Sequence, residues 1–164
     1  MDKIELAKDL LERIGMPTAQ QSTLCCLTLL AMANVKKDGT FQDASNDWIR
    51  IHDVISFIDK EYGVIYAENS RETFRKQAMH HFRTAAIIED NGKETNSPNY
   101  RYRLTDEFLR VVKSFSEPDG TSGFSCQEVR EKFVELFQLP TNHILRTEKR
   151  SFFRGFNSFP LPCN

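Results

Sequence analysis

A run of side chains able to grip nucleic-acid edges and phosphates occupies residues 70–84, SRETFRKQAMHHFRT. Thr73, Lys76, Gln77, His80, Arg83 and Thr84 fall on one side of a helix drawn through it, and Arg71 and Arg75 flank its first two turns. Arginine and lysine read guanine edges, glutamine reads adenine, and both cations also hold phosphates. A helix beginning at Ser70 would add its own backbone N–H donors for a phosphate. Glu72 is the single acid in this run. Polarity of this kind also describes an ordinary solvated helix face, so other stretches must weigh in.

Other chemistries find no footing. The cysteines are Cys25, Cys26, Cys126 and Cys163, with no C-x-x-C pair, and the first two sit in an apolar run that suits buried, reduced thiols. The histidines are His52, His80, His81 and His143, and the adjacent pair points to different helix faces. There is no Walker lysine loop, G-x-G-x-x-G, G-x-S-x-G or H-E-x-x-H. No catalytic and no metal-ligating residue is assigned.

The elements that would position the 70–84 run follow from periodicity. The spacing predicts a helix from Ser70, with Asn69 as N-cap and Glu72 completing a capping box. Its apolar side would be Phe74, Ala78, His81, Phe82 and Ala85. Ile87 to Glu89 reads as a strand, Asp90 to Asn99 as a turn with Gly92, Ser97 and Pro98, and Tyr100 to Leu104 as a second strand. Arg101 and Arg103 would share one face of that hairpin. Upstream, Ile4 to Ile14 forms an amphipathic helix closed by Gly15, and Thr18 to Asn34 a helix apolar almost all round. A polar connection over residues 35–47 follows, with Trp48 and Ile51 expected to anchor its return to the core. Ile51 to Tyr62 is a third helix stopped by Gly63, and Val64 to Glu68 links it to the 70–84 run. Two helices so joined, the second polar outside, match a helix-turn-helix. Beyond the hairpin, Thr105 caps a helix over Asp106 to Phe115.

The fold class expected is mainly α: a winged helix-turn-helix with a small β-hairpin wing, plus a C-terminal helix and an irregular tail. Residues 1–115 would be the winged-helix domain, 116–125 a linker, 126–138 a helix, and 139–164 an irregular tail resembling the start of a truncated region. The 164 residues, 40% apolar and 27% charged, allow one domain with a real core. The net charge of −1 hides an asymmetry. Residues 70–103 hold seven basic against four acidic side chains, whereas residues 1–69 hold seven against eleven. A nucleic-acid footprint is local in this way. No apolar run approaches the roughly 20 residues of a membrane span, and the N-terminus is not a signal peptide. A cytoplasmic location is expected.

At this point RETFRKQAMHHF, NSPNYRYRLT and the upstream IGMPTAQQ carry a resemblance. They look like the N-terminal helix-turn-helix module of the BsuBI/PstI type II restriction endonucleases, from about Leu6 to about Phe115. The resemblance implies a winged-helix DNA-binding module ahead of a nuclease domain that cuts a palindromic double-stranded site with Mg²⁺. Nucleases of this broad class pair a Pro-Asp with an Asp or Glu two residues before a Lys. Pro118-Asp119 offers the first half, but no acid in the chain precedes a Lys by two positions. The chain as it stands is therefore not expected to be an enzyme, and Mg²⁺ is expected only with the missing nuclease domain.

The expected function is sequence-specific binding of double-stranded DNA. Arg71, Thr73, Lys76, Gln77 and His80 would contact bases or phosphates from the helix starting at Ser70, and Arg75 and Arg83 would hold phosphates. Asn96, Ser97, Asn99 and Arg101 would lie along the wing. A palindromic site would suit a homodimer. A stand-alone winged-helix transcriptional regulator and a winged-helix protein-interaction module are the alternatives.

Overall fold

The computed structural model describes residues 2–115. Expectations for 116–164, including the linker, the 126–138 helix, the tail and Pro118-Asp119, lie outside the described residues.

Leu6, Leu10, Leu11 and Ile14 recur at helical spacing, and Lys3–Arg13 is helix α1. The second helix is shorter than its apolar run suggests. Thr18–Gln21 is a 3₁₀ turn, and α2 spans Thr23–Met32. Ser22 causes the break: its backbone is extended and its hydroxyl accepts from the Cys25 N–H at 3.4 Å, which is N-cap geometry. Every α2 residue from Cys25 to Met32 is buried. Burial, with Cys25 beside it, pushes the Cys26 thiol up to about 12, and both thiols are free.

The connection after α2 does not return to the core through Trp48, which is 41% exposed. Phe41, in a short 3₁₀ turn over Phe41–Asp43, does so instead. Its ring meets Phe115 edge-on at 5.4 Å. Trp48 stays outside as a platform for the Arg103 guanidinium, 4.5 Å above its ring. Helix α3 covers Ile51–Tyr62 and stops at Gly63, whose φ of +68° is the left-handed C-cap conformation that glycine adopts without strain.

Three other helix ends share one construction. Gly15, Asn34 and Ala86 each have positive φ. Each donates to a carbonyl three residues back, and the next residue (Met16, Val35, Ile87) donates five residues back. These are Schellman motifs, and the residue after each is buried. Ala86 takes this conformation at a local cost of about 1–2 kcal/mol, held there by its own bond of 3.0 Å to the Arg83 carbonyl and by the 2.8 Å bond from the Ile87 N–H to the Phe82 carbonyl.

The helix over 71–84 is not regular. It consists of α4 (Arg71–Phe74), a π turn (Arg75–Met79) and α5 (His80–Thr84). A 3₁₀ turn over Glu68–Ser70 precedes it and contains Asn69, the expected cap; Ser70 stands at the cap position of α4 instead and makes no side-chain cap bond. Glu72 turns away from Asn69 to Arg75 and Lys76, which removes the capping box. The π turn shifts the helical phase, so Met79 joins Phe74, Ala78, Phe82 and Ala85 in the core while His81 is left half-buried. On the core side the Cys25 thiol donates to the Gln77 carbonyl at 3.4 Å.

Strands β1 (Ile88–Asp90) and β2 (Tyr102–Leu104) pair antiparallel, with Ile88 opposite Leu104 and Asp90 opposite Tyr102. β1 lies one residue later than the expected Ile87–Glu89, and β2 begins at Tyr102 and not at Tyr100, although the Arg101 carbonyl still accepts from the Asn91 N–H at 3.1 Å. Ile49 bridges to Tyr102 as a third, one-residue strand. Helix α6 (Asp106–Ser114) is capped by Thr105 and buries Phe108, Val111 and Val112. Four fully buried phenylalanines, Phe41, Phe74, Phe82 and Phe108, unite the layers. Each contributes on the order of 1.5–3 kcal/mol by leaving water.

Candidate nucleic-acid interface

The start of α3 and the start of α4 are brought side by side by the turn between them. Glu68 joins them: its Oε1 accepts from Arg71 Nη2 at 2.7 Å and lies 3.3 Å from His52 Nδ1. The third wall comes from the wing. Between these walls lies an open cleft of about 640 Å³ whose lining includes Arg50, His52, Arg71, Arg75, Asn96 and Ser97, together with Tyr100 and Tyr102. A second hollow of about 300 Å³ continues past Arg75 to Lys76, His80 and Arg83. The two hollows share Arg75, Thr95, Tyr100 and Tyr102.

The residues singled out from sequence divide accordingly. Arg71, Arg75, Asn96 and Ser97 meet in the first hollow, and Lys76, His80 and Arg83 meet in the second. Thr73 and Gln77 are exposed on the helix but line neither hollow, and Ser70 is half-buried in the turn before α4. Asn99 is bound within the wing, its carbonyl accepting from Asn91 Nδ2 at 2.6 Å and its N–H donating to Ser97 Oγ. Arg101 points to the other face of the hairpin, near Trp48 and Arg103. Its guanidinium donates to the Pro98 and Tyr100 carbonyls. The Arg101–Arg103 pair does not widen the cationic cleft, since Arg103 is also held by Glu89 at 2.7 Å.

Arg50, His52, Thr95 and Tyr100 line the cleft and were not identified from sequence. Arg50 and His52 carry no local signal: they reach the cleft because residues 63–67 carry the chain back from the end of α3 until Glu68 meets His52. Nothing local marks Thr95 or Tyr100, which depend on how the wing folds over.

Carboxylates balance these cations. Arg50 donates twice to Asp53, at 3.2 and 3.1 Å, and Arg83 Nε lies 2.8 Å from Asp90. Arg75 makes a two-bond fork with Glu72, at 2.9 and 2.8 Å, and Lys76 Nζ lies 3.4 Å from the same carboxylate. The Arg75 guanidinium holds the Glu72 carboxyl below the usual range, and Arg71 does the same for Glu68. Arg75 and Lys76 keep donors beyond those used by Glu72. Such a surface can accept phosphate oxygens and base edges once its internal pairs are exchanged.

Comparison with known proteins gives consistent results. Residues 1–136 match the family model described as the BsuBI/PstI restriction endonuclease HTH domain. The chain is 34% identical over 117 residues to the type II restriction enzyme BsuBI of Bacillus subtilis, covering 69% of this chain and 37% of that enzyme. It is 25% identical over 116 residues to the type II restriction enzyme AplI of Arthrospira platensis, covering 69% and 36%. The chain thus spans little more than a third of the length of the curated relatives it matches. Among solved structures, the SdaI restriction endonuclease superposes with a TM-score of 0.70 at 20% identity, over 90% of this chain and 44% of that one. That likeness establishes a shared fold.

Proposed function

The chain belongs to the BsuBI/PstI restriction endonuclease HTH domain family, and on that premise we propose that it recognises a specific double-stranded DNA sequence. The helix over 71–84 enters the major groove, and the wing lies along the backbone beside it. The observation that carries this reading is the convergence of Arg50, Arg71, Arg75, Asn96 and Ser97 on one open cleft. Lys76, His80 and Arg83 continue that surface along the helix, and Gln77 and Thr73 stand exposed beside it.

Cleavage with Mg²⁺ is proposed as the activity of a longer protein in which this module precedes a nuclease domain. Among the described residues there is no group of three or more His, Cys, Asp or Glu that could hold a metal ion. A palindromic target would be read by two copies. Among the described residues no helix is long and apolar enough to cross a membrane, and a cytoplasmic location, where such DNA would be met, completes the proposal.

The test is a gel shift of the chain against duplexes with a randomised core at several salt concentrations, with sequencing of the retained pool. Enrichment of one short motif is expected. With three to five cations neutralising phosphates, log K should fall against log salt with a slope of about −3 to −4.5. A flat salt response, or no retention at low salt, would overturn the reading.

A further inference from the structure

The cleft is charge-balanced, although the cations around it prompted the DNA reading on which this inference rests. Arg50, Arg71 and Arg75 are each matched by a carboxylate, from Asp53, Glu68 and Glu72. Two of these acids have structural duties: Asp53 accepts the Arg50 backbone N–H at the start of α3, and Glu68 joins that start to α4. Glu72 has none of this kind. Its partners are three and four residues along its own helix, and its side chain is 49% exposed. Exposed pairs of that sort contribute little to stability.

Its position matters more for a ligand. Glu72 sits in the first turn of the helix and lines the same cleft as Arg71 and Arg75. One oxygen takes Arg75 Nη2 and Lys76 Nζ, and the other takes Arg75 Nε. Non-specific affinity for DNA arises almost wholly from cations neutralising phosphates. A carboxylate that holds two of those cations, and itself faces the polyanion, subtracts from that affinity. At a cognate site, base contacts repay the exchange; elsewhere nothing does.

We propose that Glu72 is a specificity-determining residue that withholds Arg75 and Lys76 from the phosphates of non-cognate DNA. The experiment compares full-length wild-type and Glu72→Gln chains on two probes, the duplex pool selected by the wild type and the unselected randomised pool. Glu72→Gln should bind the unselected pool on the order of tenfold more tightly and the selected pool with a smaller gain, so that discrimination falls. On the unselected pool its salt slope should steepen by about 0.9 for each freed cation that reaches a phosphate. Glu72→Asp, which keeps the charge, should discriminate as the wild type does. With Arg75 and Lys76 both changed to Ala, the effect of Glu72→Gln should shrink. Equal tightening on both pools, or unchanged or weaker binding to unselected DNA, overturns the proposal while the wild type still selects a motif. A wild type that retains neither pool at low salt overturns the DNA reading itself.

Discussion

Ile49 and Tyr102 exchange two backbone hydrogen bonds, each 2.8 Å long. Ile49 stands just before α3, and Tyr102 opens β2. The bridge therefore ties the α3 wall of the cleft, with Arg50 and His52, to the wing that forms the opposite wall. Ile49→Pro removes one donor and leaves the Tyr102 carbonyl unmatched in a buried place. A loss of about 1–3 kcal/mol is expected by chemical denaturation. Motif selection should weaken as well, because the two walls lose their common anchor. Ile49→Val, which keeps both bonds, should cost under about 1.5 kcal/mol.

Thr105 links the end of the hairpin to α6. Its hydroxyl donates to the Ala86 carbonyl at 2.8 Å and accepts from the Phe108 N–H at 3.3 Å. It is buried, so neither partner has water as a substitute. Thr105→Val should destabilise the chain by about 1–2 kcal/mol, the usual cost of losing an N-cap. Thr105→Ser should recover most of that in a thermal melt.

Gln77 is exposed, and its side-chain amide has no hydrogen-bond partner among the described residues. Gln77→Ala should therefore leave the thermal midpoint nearly unchanged. If the amide reads adenine, binding should lose roughly 1–3 kcal/mol at one base pair of the selected motif and little elsewhere. A uniform loss across all duplexes would make Gln77 a backbone contact instead.

His81 gives stability a pH dependence of definite sign. Burial, with the neighbouring His80 second, lowers its pKa from the ordinary 6.5. The unfolded chain therefore binds the proton more readily than the folded one, and stability rises with pH across the interval between the two values. Folding free energy should be fully present above about 6.5 and fall as pH drops through the lowered value. His81→Gln should flatten the profile in that window when denaturation midpoints are compared.

Much of this fold is legible locally. Ile51, Val54, Ile55 and Ile58 repeat at helical spacing, and Gly63 follows where the chain needs positive φ, so α3 runs over the residues its pattern marks. Thr105 and α6 behave alike, and the hairpin is announced by its turn residues. Signals of this kind act within four or five residues, and they hold wherever distant packing agrees with them.

Elsewhere a rival partner, near in the chain or distant, overrides the local pattern. Asn69 and Glu72 have the spacing of a capping box, yet Arg75 offers Glu72 a two-bond fork and takes it away. The regular helix expected through Gln77 becomes a π turn against α2, which brings Met79 into the core and exposes more of His81. Phe41 makes the return to the core that was expected of Trp48, and the alternation that sets Arg101 and Arg103 on one face is silent on the cleft's lying against the other. The types of side chain near the helix were written in the sequence. Their company in one cleft, and the carboxylates that restrain them, depend on three segments far apart in the chain packing over a shared core.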